Sequence, residues 1–429
     1  MERYRIQFLE SWKSNSSRKP LIIRGARQTG KTWLMKEFGR RFYDTVAYVN
    51  LEKSTRLAPL FNDGFDIKRI ISAIELESNI KINPDNTLII LDEIQAIPLA
   101  ITSLKYFYED APEYNVMAAG SLLGVALHSE ISFPVGKVDF MDLYPLNFIE
   151  YLNACGDEKL TNILKDQDWP LITTFKTKFT DRLREYYFVG GMPEAVKSFT
   201  QGKDFKEVRE IQKNILNAYE YDFSKHAPVA AIPKIRMLWN SILSQLAKEN
   251  KKFIYGLIKE GARAKEYEAA ISWLVDCGQA YKIHRVTKPG IPLKAYIDLS
   301  AFKLFIVDVG LLSAMGDLDS GTLLDGNSIF TEFKGALTEQ FVLQQLISEG
   351  RFVINYWSAE KSTAEIDFVL QKQGIVLPLE VKAVENLTAK SLKVYAEKYK
   401  PSVSIRTSMS DYRKEDWLTN LPLYAINTL

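Results

Sequence analysis

The sequence predicts an α/β protein in four parts: a parallel sheet flanked by helices, a helical stretch, a small helical unit ending in a hairpin, and a C-terminal run in the order αβββαβ. Three observations predict it. Short apolar runs alternate with helical periodicity from residue 21 to residue 143, the pattern of a parallel sheet covered on both faces. After Pro145 the alternation stops, and apolar residues recur at helical spacing alone. Beyond a Gly-, Asp- and Ser-rich stretch, Gly316–Ser328, a long helical pattern precedes three strand-like runs, a helix and a last strand.

A chain of 429 residues exceeds one ordinary core. Hydrophobic residues at 46% and charged residues at 25% are the balance of a soluble globular protein. The 55 basic and 53 acidic residues leave a net charge of +2, so no global basic field marks a nucleic-acid binder, though local patches stay open. Cys155 and Cys277 show neither metal spacing nor a disulfide framework, and a reducing cytoplasm is expected. His128, His226 and His284 are scattered, which argues against a histidine metal site. The opening Met-Glu-Arg-Tyr-Arg-Ile-Gln has no signal-peptide core, and no uncharged run approaches the roughly 20 residues that span a bilayer.

Taken in order, Ile6, Leu9 and Trp12 share a helical face, and Leu21–Ile23 reads as the first strand. It runs into Gly25, four residues, then Gly30-Lys31-Thr32, the spacing of a phosphate-binding loop. Glycine lets the backbone turn where a Cβ would obstruct it. The N–H groups of Gly25, Ala26, Arg27, Gln28, Thr29, Gly30, Lys31, Thr32 and Trp33, in the loop and first helical turn, are then the expected phosphate donors. Lys31 would reach the β/γ-phosphates of ATP, and the Thr32 hydroxyl would ligate Mg²⁺. A second strand, Thr45–Glu52, and a helix, Ile67–Glu77, precede the apolar strand Thr87–Leu91, which ends in Asp92-Glu93. There Asp92 can hold the metal through water and Glu93 can polarise the attacking water. The bland alternative is two acidic residues opening a solvated loop. Asn115–Ser121 gives a fourth strand and its end, and Val138–Leu143 a fifth. Ligands of such sheets bind at the C-terminal strand ends, so Ser121 either senses the γ-phosphate or caps a helix beginning at Leu122.

Phe148–Cys155, Leu160–Leu164, Ile172–Phe188 and Phe205–Tyr221 suit helices, with Gly190-Gly191-Met192-Pro193 the strongest break. Helices at Ile235–Ala247, Phe253–Leu257 and Lys265–Val275, followed by strands Ala280–Val286 and Ala295–Leu299, suggest a winged helix. Arg263, Lys265, Arg285 and Lys288 would face a DNA backbone, but Glu260, Glu266 and Glu268 dilute that surface, so a protein-docking or structural wing is an equal reading. Phe333–Ser348 is then a helix, Val353–Trp357, Ala364–Leu370 and Ile375–Ala383 are strands, and Ala389–Tyr399 and Val403–Arg406 complete the run. Asp367 lies on one strand, and Glu380 and Lys382 share a face of the next. A turn at Gln371–Gly374 would bring them together, with Glu339 as a further ligand from the helix. Two carboxylates and a lysine suit metal-assisted phosphodiester hydrolysis. Salt bridges on a solvated face, in a catalytically inert domain, are the alternative.

The phosphate-binding loop with Asp92-Glu93 resembles the AAA+ and related P-loop ATPases. More narrowly, the chain resembles the prokaryotic AAA-type ATPases that carry a C-terminal domain of unknown function. Tyr186-Tyr187-Phe188-Val189-Gly190-Gly191-Met192-Pro193-Glu194, Asp308-Val309-Gly310-Leu311-Leu312, Glu365-Ile366-Asp367 and Glu380-Val381-Lys382 extend the likeness over nearly the whole chain. The resemblance implies an ATPase core at 1–145, a helical lid at 146–230, a winged-helix-like part at 231–315 and a part at 325–429 similar to the PD-(D/E)xK nuclease fold. It implies ATP and Mg²⁺ as cofactors, with DNA and further copies of the chain as open candidate partners and no membrane. Relatives often carry Gly-Arg where this chain has Gly136-Lys137, and lysine lacks the guanidinium fork, so no arginine finger is assigned.

Overall fold

The structure, a computed structural model, describes residues 2–62, 64–121, 133–248, 252–324, 331–359, 363–385 and 388–429. They fall into two compact units, Glu2–Tyr144 with Asp276–Gly278, and Pro145–Val275 with Gln279–Leu429.

In the first unit a parallel five-stranded sheet has the order β2-β3-β4-β1-β5. Its strands are β1 (Leu21–Arg24), β2 (Thr45–Asn50), β3 (Thr87–Asp92), β4 (Asn115–Ala119) and β5 (Asp139–Asp142). The helices are α1 (Arg5–Ser14), α2 (Lys31–Phe42), α3 (Ala58–Asn62), α4 (Ile67–Ser78) and α5 (Pro98–Asp110). Successive strand side chains point to opposite faces, and both faces are covered. Leu88 and Ile90 of β3 pack with Leu34, Met35 and Phe38 of α2. Ile89 and Leu91 pack with Ile70, Ile74, Leu104 and Phe107 of α4 and α5. This is why β3 reads as an unbroken apolar run and is buried along its whole length.

The second unit opens with helices α6 (Phe148–Ala154), α7 (Glu158–Lys165), α8 (Trp169–Thr174), α9 (Lys176–Val189), α10 (Pro193–Gly202), α11 (Phe205–His226), α12 (Ile232–Ala247) and α13 (Ala264–Asp276). The single helix expected at Ile172–Phe188 is two, broken at Phe175. The helix expected at Phe253–Leu257 is one 3₁₀ turn, Tyr255–Leu257, because the Phe253 N–H is committed to the Phe302 carbonyl at 2.7 Å. The strands are β6 (Ala280–Val286), β7 (Ile297–Ile306), β8 (Val353–Ser358), β9 (Glu365–Lys372), β10 (Ile375–Val381), β11 (Ile405–Ser408), β12 (Arg413–Lys414) and β13 (Thr419–Pro422). They form one eight-stranded mixed sheet in the order β12-β13-β11-β10-β9-β8-β6-β7. The β6–β7 hairpin is thus the end of that sheet, joined to β8 at Arg285–Tyr356, and its second strand is longer than expected. β9 and β10 are joined by Gln373-Gly374, both at positive φ, the two-residue turn that matches strand twist.

The unit also holds α14 (Val309–Met315), α15 (Ser320–Leu324) and α16 (Thr331–Glu349), and α17 (Lys390–Tyr399) after β10. The observed order α16-β8-β9-β10-α17-β11 is the αβββαβ run read from the sequence. Of the boundary expected at Gly316–Ser328, residues 325–328 lie outside the described residues. Gly190 and Gly310 cross so closely that a Cβ on Gly310 would stand 2.6 Å from the Gly190 nitrogen. Asp308 accepts from the Gly191 and Leu311 N–H groups at 2.6 and 3.1 Å, so the Tyr186–Glu194 and Asp308–Leu312 segments form a single knot.

Candidate functional site

The phosphate-binding loop is shaped by backbone that a side chain would block. Gly25 has φ +141°, and a Cβ there would lie 2.2 Å from the Leu143 carbonyl oxygen. Gly30, at φ +92°, starts α2 with no side-chain cap, which leaves the first-turn N–H groups to an outside acceptor. Lys31 opens that helix and is buried, its Nζ donating to the Gly25 and Ala26 carbonyls at 2.9 and 2.8 Å. Burial lowers its ammonium to about 8, against the opposing pull of Glu93 and Asp92. The loop is braced from the N-terminus: Arg3, itself buried, donates to the Thr29 carbonyl at 3.0 Å. Arg3 carries no motif, and only a chain-long packing argument could have found it.

β3 delivers Asp92 to the same place. The Thr32 hydroxyl donates to Asp92 Oδ2 at 2.7 Å, and the Tyr48 hydroxyl to the same oxygen at 2.9 Å. Burial and then the Asp92 charge push the Tyr48 phenol up to about 12, so it remains a donor. Glu93 has φ +50°. That turn directs its carboxylate toward Gln95 Nε2, which donates to Oε2 at 2.6 Å, and the Ser121 hydroxyl approaches the same oxygen at 3.3 Å. Thus Lys31, Thr32, Asp92, Glu93 and Ser121 converge. Tyr48 and Gln95 join them without a sequence signal of their own. Leu122, which Ser121 would cap, lies outside the described residues. A hydroxyl and a carboxylate in contact are suitable oxygen ligands for a divalent metal, and the buried lysine beside them suits the phosphate such a metal would carry.

Residues 17–152 match a family described as an AAA domain. This match points to a nucleotide-binding ATPase. Residues 180–322 and 334–426 match two further families, each described only as a domain of unknown function. No curated protein matches the chain. Among solved structures it is similar to C. elegans PCH-2, at 10% identity over 37% of this chain and 46% of that one, with a TM-score of 0.24. It therefore spans less than half of that relative. It is also similar to the Aeropyrum pernix ORC1 protein in complex with DNA, at 13% identity over 74% of this chain and 93% of that one, with a TM-score of 0.27.

Beyond the residues of the AAA-domain match, Asp367, Glu380 and Lys382 lie at the ends of the paired strands β9 and β10, where Phe368 stands opposite Leu379. Asp367 Oδ2 accepts from the Val381 N–H at 2.7 Å. Burial, then the Glu339 charge, raise its carboxyl well above the usual range, with Lys303 opposing. Glu380 instead pairs with Lys382 at 3.0 Å, and burial raises its carboxyl against the pull of Lys382 and Arg406. Glu339 of α16 acts on Asp367 through its charge, and Glu339 itself pairs with Lys303 of β7. Lys303 Nζ lies 2.6 Å from Glu365 Oε1 and 3.3 Å from Glu339 Oε2. These residues do not fit a bound metal. Among the described residues no three His, Cys, Asp or Glu side chains are grouped as one needs, and a buried ammonium already stands among the carboxylates. Glu380 Oε2 is buried without a hydrogen-bond partner, a single orphan where a metal needs several oxygens.

Of the basic residues read as a DNA face, Arg263 and Lys265 are exposed at the start of α13. Arg285 is bound to Asp298 at 2.6 Å, and Lys288 lies 4.5 Å over the Tyr296 ring. Lys137 pairs with Glu109 at 2.9 Å. No described helix is long and apolar enough to cross a membrane.

Proposed function

We propose that the protein binds and hydrolyses ATP at the AAA domain, using Lys31 for the phosphates and Glu93 as general base. The observation that carries this is the 2.7 Å contact between Thr32 and Asp92 beside the buried Lys31. Thr32 and Asp92 would hold Mg²⁺, and the N–H groups from Gly25 to Trp33 would take the phosphate oxygens. Bound there, Mg²⁺ neutralises charge developing on the phosphates. Glu93 accepts the proton of the attacking water, with Gln95 and Ser121 fixing its carboxylate. Lys31→Ala is expected to abolish nucleotide binding and turnover. Glu93→Gln should keep binding and lose at least about 100-fold in turnover, because an amide accepts no proton. A steady-state phosphate-release assay beside nucleotide titration checks both, and wild-type turnover in Glu93→Gln removes the base role.

For the rest of the chain we propose a nucleotide-switched interaction protein, with the lid at 146–230, the winged-helix-like part at 231–315 and the nuclease-like part at 325–429. The competing reading is DNA cleavage by Asp367, Glu380 and Lys382. The Lys303 ion pairs favour the inert alternative, because Glu339, the further candidate ligand, already has a cation. Incubating Mg²⁺ or Mn²⁺ and protein with plasmid, linear and branched DNA separates the two on a gel. DNA is the proposed partner, with Arg263 and Lys265 the exposed basic pair that would touch its backbone. Reversing both charges should weaken binding and flatten the salt dependence by about one unit of slope for each phosphate no longer neutralised. Unchanged affinity and slope would leave docking to a protein, including another copy of the chain, as the role of this part.

A further inference from the structure

We infer that Lys303 is a built-in cation: its ammonium takes the place of a divalent metal in the Glu339–Glu365–Asp367 cluster, so the cluster holds no metal unless the lysine is removed. This rests on the inert reading of the C-terminal part. Three elements supply the carboxylates and their partner, Glu339 from α16, Glu365 and Asp367 from β9 and Lys303 from β7. The contacts of 2.6 and 3.3 Å from Nζ to Glu365 and Glu339 are those of an ammonium donating to carboxylates. Lys303 is only 8% exposed, and a lysine is rarely buried so far without such partners. Its aliphatic stem fixes the charge in place, and Nζ also lies 5.5 Å from the centre of the Tyr356 ring, a second attraction for a cation. A metal arriving from solvent would have to displace a tethered charge that cannot diffuse away.

A small cavity touches Lys303 and Glu339. It is lined by Gln245, Phe253, Lys303, Leu304 and Glu339, with Lys252 at its wall, and has a volume of about 20 Å³. That is room for one water. Shortening Lys303 to an uncharged side chain would enlarge this space and leave Glu339, Glu365 and Asp367 without their cation. The three carboxylates, which are not grouped to hold a metal while Lys303 stands among them, would then be free to close on a divalent ion.

The experiment is a Mn²⁺ titration of the full chain by calorimetry, without nucleotide, on wild type, Glu339→Gln, Lys303→Met, Lys303→Arg and Lys303→Met/Glu365→Gln. Wild type and Glu339→Gln should titrate alike. Lys303→Met should gain one Mn²⁺ site at least tenfold tighter than any in wild type, and its melting temperature should rise with Mn²⁺. Lys303→Arg and the double variant should lack that site. A wild-type site that Glu339→Gln removes would overturn the proposal, as would a folded Lys303→Met that gains none. Should Lys303→Met fail to fold, the wild-type against Glu339→Gln comparison still decides. The inert reading is tested separately by the DNA gel. Cleavage lost in Asp367→Asn overturns both inferences, whereas a Mn²⁺ site in a wild type that leaves DNA intact overturns only the role of Lys303.

Discussion

Lys31 sits in a loop that lowers its own charge. Its ammonium, near 8, lies well below the roughly 10.4 of a free lysine, because burial outweighs the attraction of Glu93 and Asp92. Between those two values the unfolded chain holds more protons than the folded one, so nucleotide-free stability gains from this group as pH rises through that window. A triphosphate restores the favourable charge and pulls the proton back. At pH 8 nucleotide binding should therefore take up about half a proton, falling toward zero at pH 6.5. Calorimetry in two buffers of different ionisation enthalpy reads this directly. Equal apparent enthalpies at pH 8 would show that Lys31 is already fully charged before nucleotide arrives. The loop residues were legible in the sequence because glycine, lysine and threonine have few substitutes there. Arg3, Tyr48 and Gln95 were not, since each acts through a contact that only the folded chain creates.

At the level of elements, helix α16 shows where pattern reading stops. Leu343 and Leu346 recur at helical spacing, yet the helix is also held by glutamines buried beside them. Gln340 bonds both the N–H and the carbonyl of Ile306 at 3.1 and 2.7 Å, extending the last residue of β7 by a side-chain amide. Gln344 takes the Val309 N–H at 2.8 Å and donates to Asp308 at 2.8 Å, and Gln345 takes the Phe148 N–H at 2.7 Å. Gln340→Leu keeps the volume but orphans two buried backbone groups, and should cost about 2–4 kcal/mol. Gly190→Ala should cost at least as much, about 3 kcal/mol or more, since its Cβ would lie 2.1 Å from an Asp308 oxygen at a φ of +70°. Denaturant titration of each variant checks both, and a loss under about 1 kcal/mol in either would mean the backbone relaxes around the change. The strand-and-helix order of the C-terminal part was readable. Lys303 was not, because the strand was expected to end at Leu299 and a lysine beyond it carries no sign in the sequence of being buried.

On the scale of the molecule, the two units give calorimetry something to separate. ATP with Glu93→Gln should raise the transition of the unit holding residues 2–144 and leave the other where it stands, unless the two melt as one. A single transition that moves as a whole would mean nucleotide energy reaches the entire chain. The aromatic contacts of α16 bear on how the chain is made. Phe341 rests against Phe148, Tyr186 and Tyr187, at 5.9, 5.8 and 5.4 Å between ring centres. These partners leave the ribosome long before it does. At about 5–20 residues per second, the gap between Tyr187 and Phe341 lasts on the order of ten seconds. For that interval the helices beginning at Phe148 stand with an uncovered aromatic face, while the five-stranded sheet ahead of them has emerged in full and is free to close. Slowing translation within residues 190–340 should lengthen that exposure and lower the soluble yield, a dependence on codon speed that the finished protein would never show.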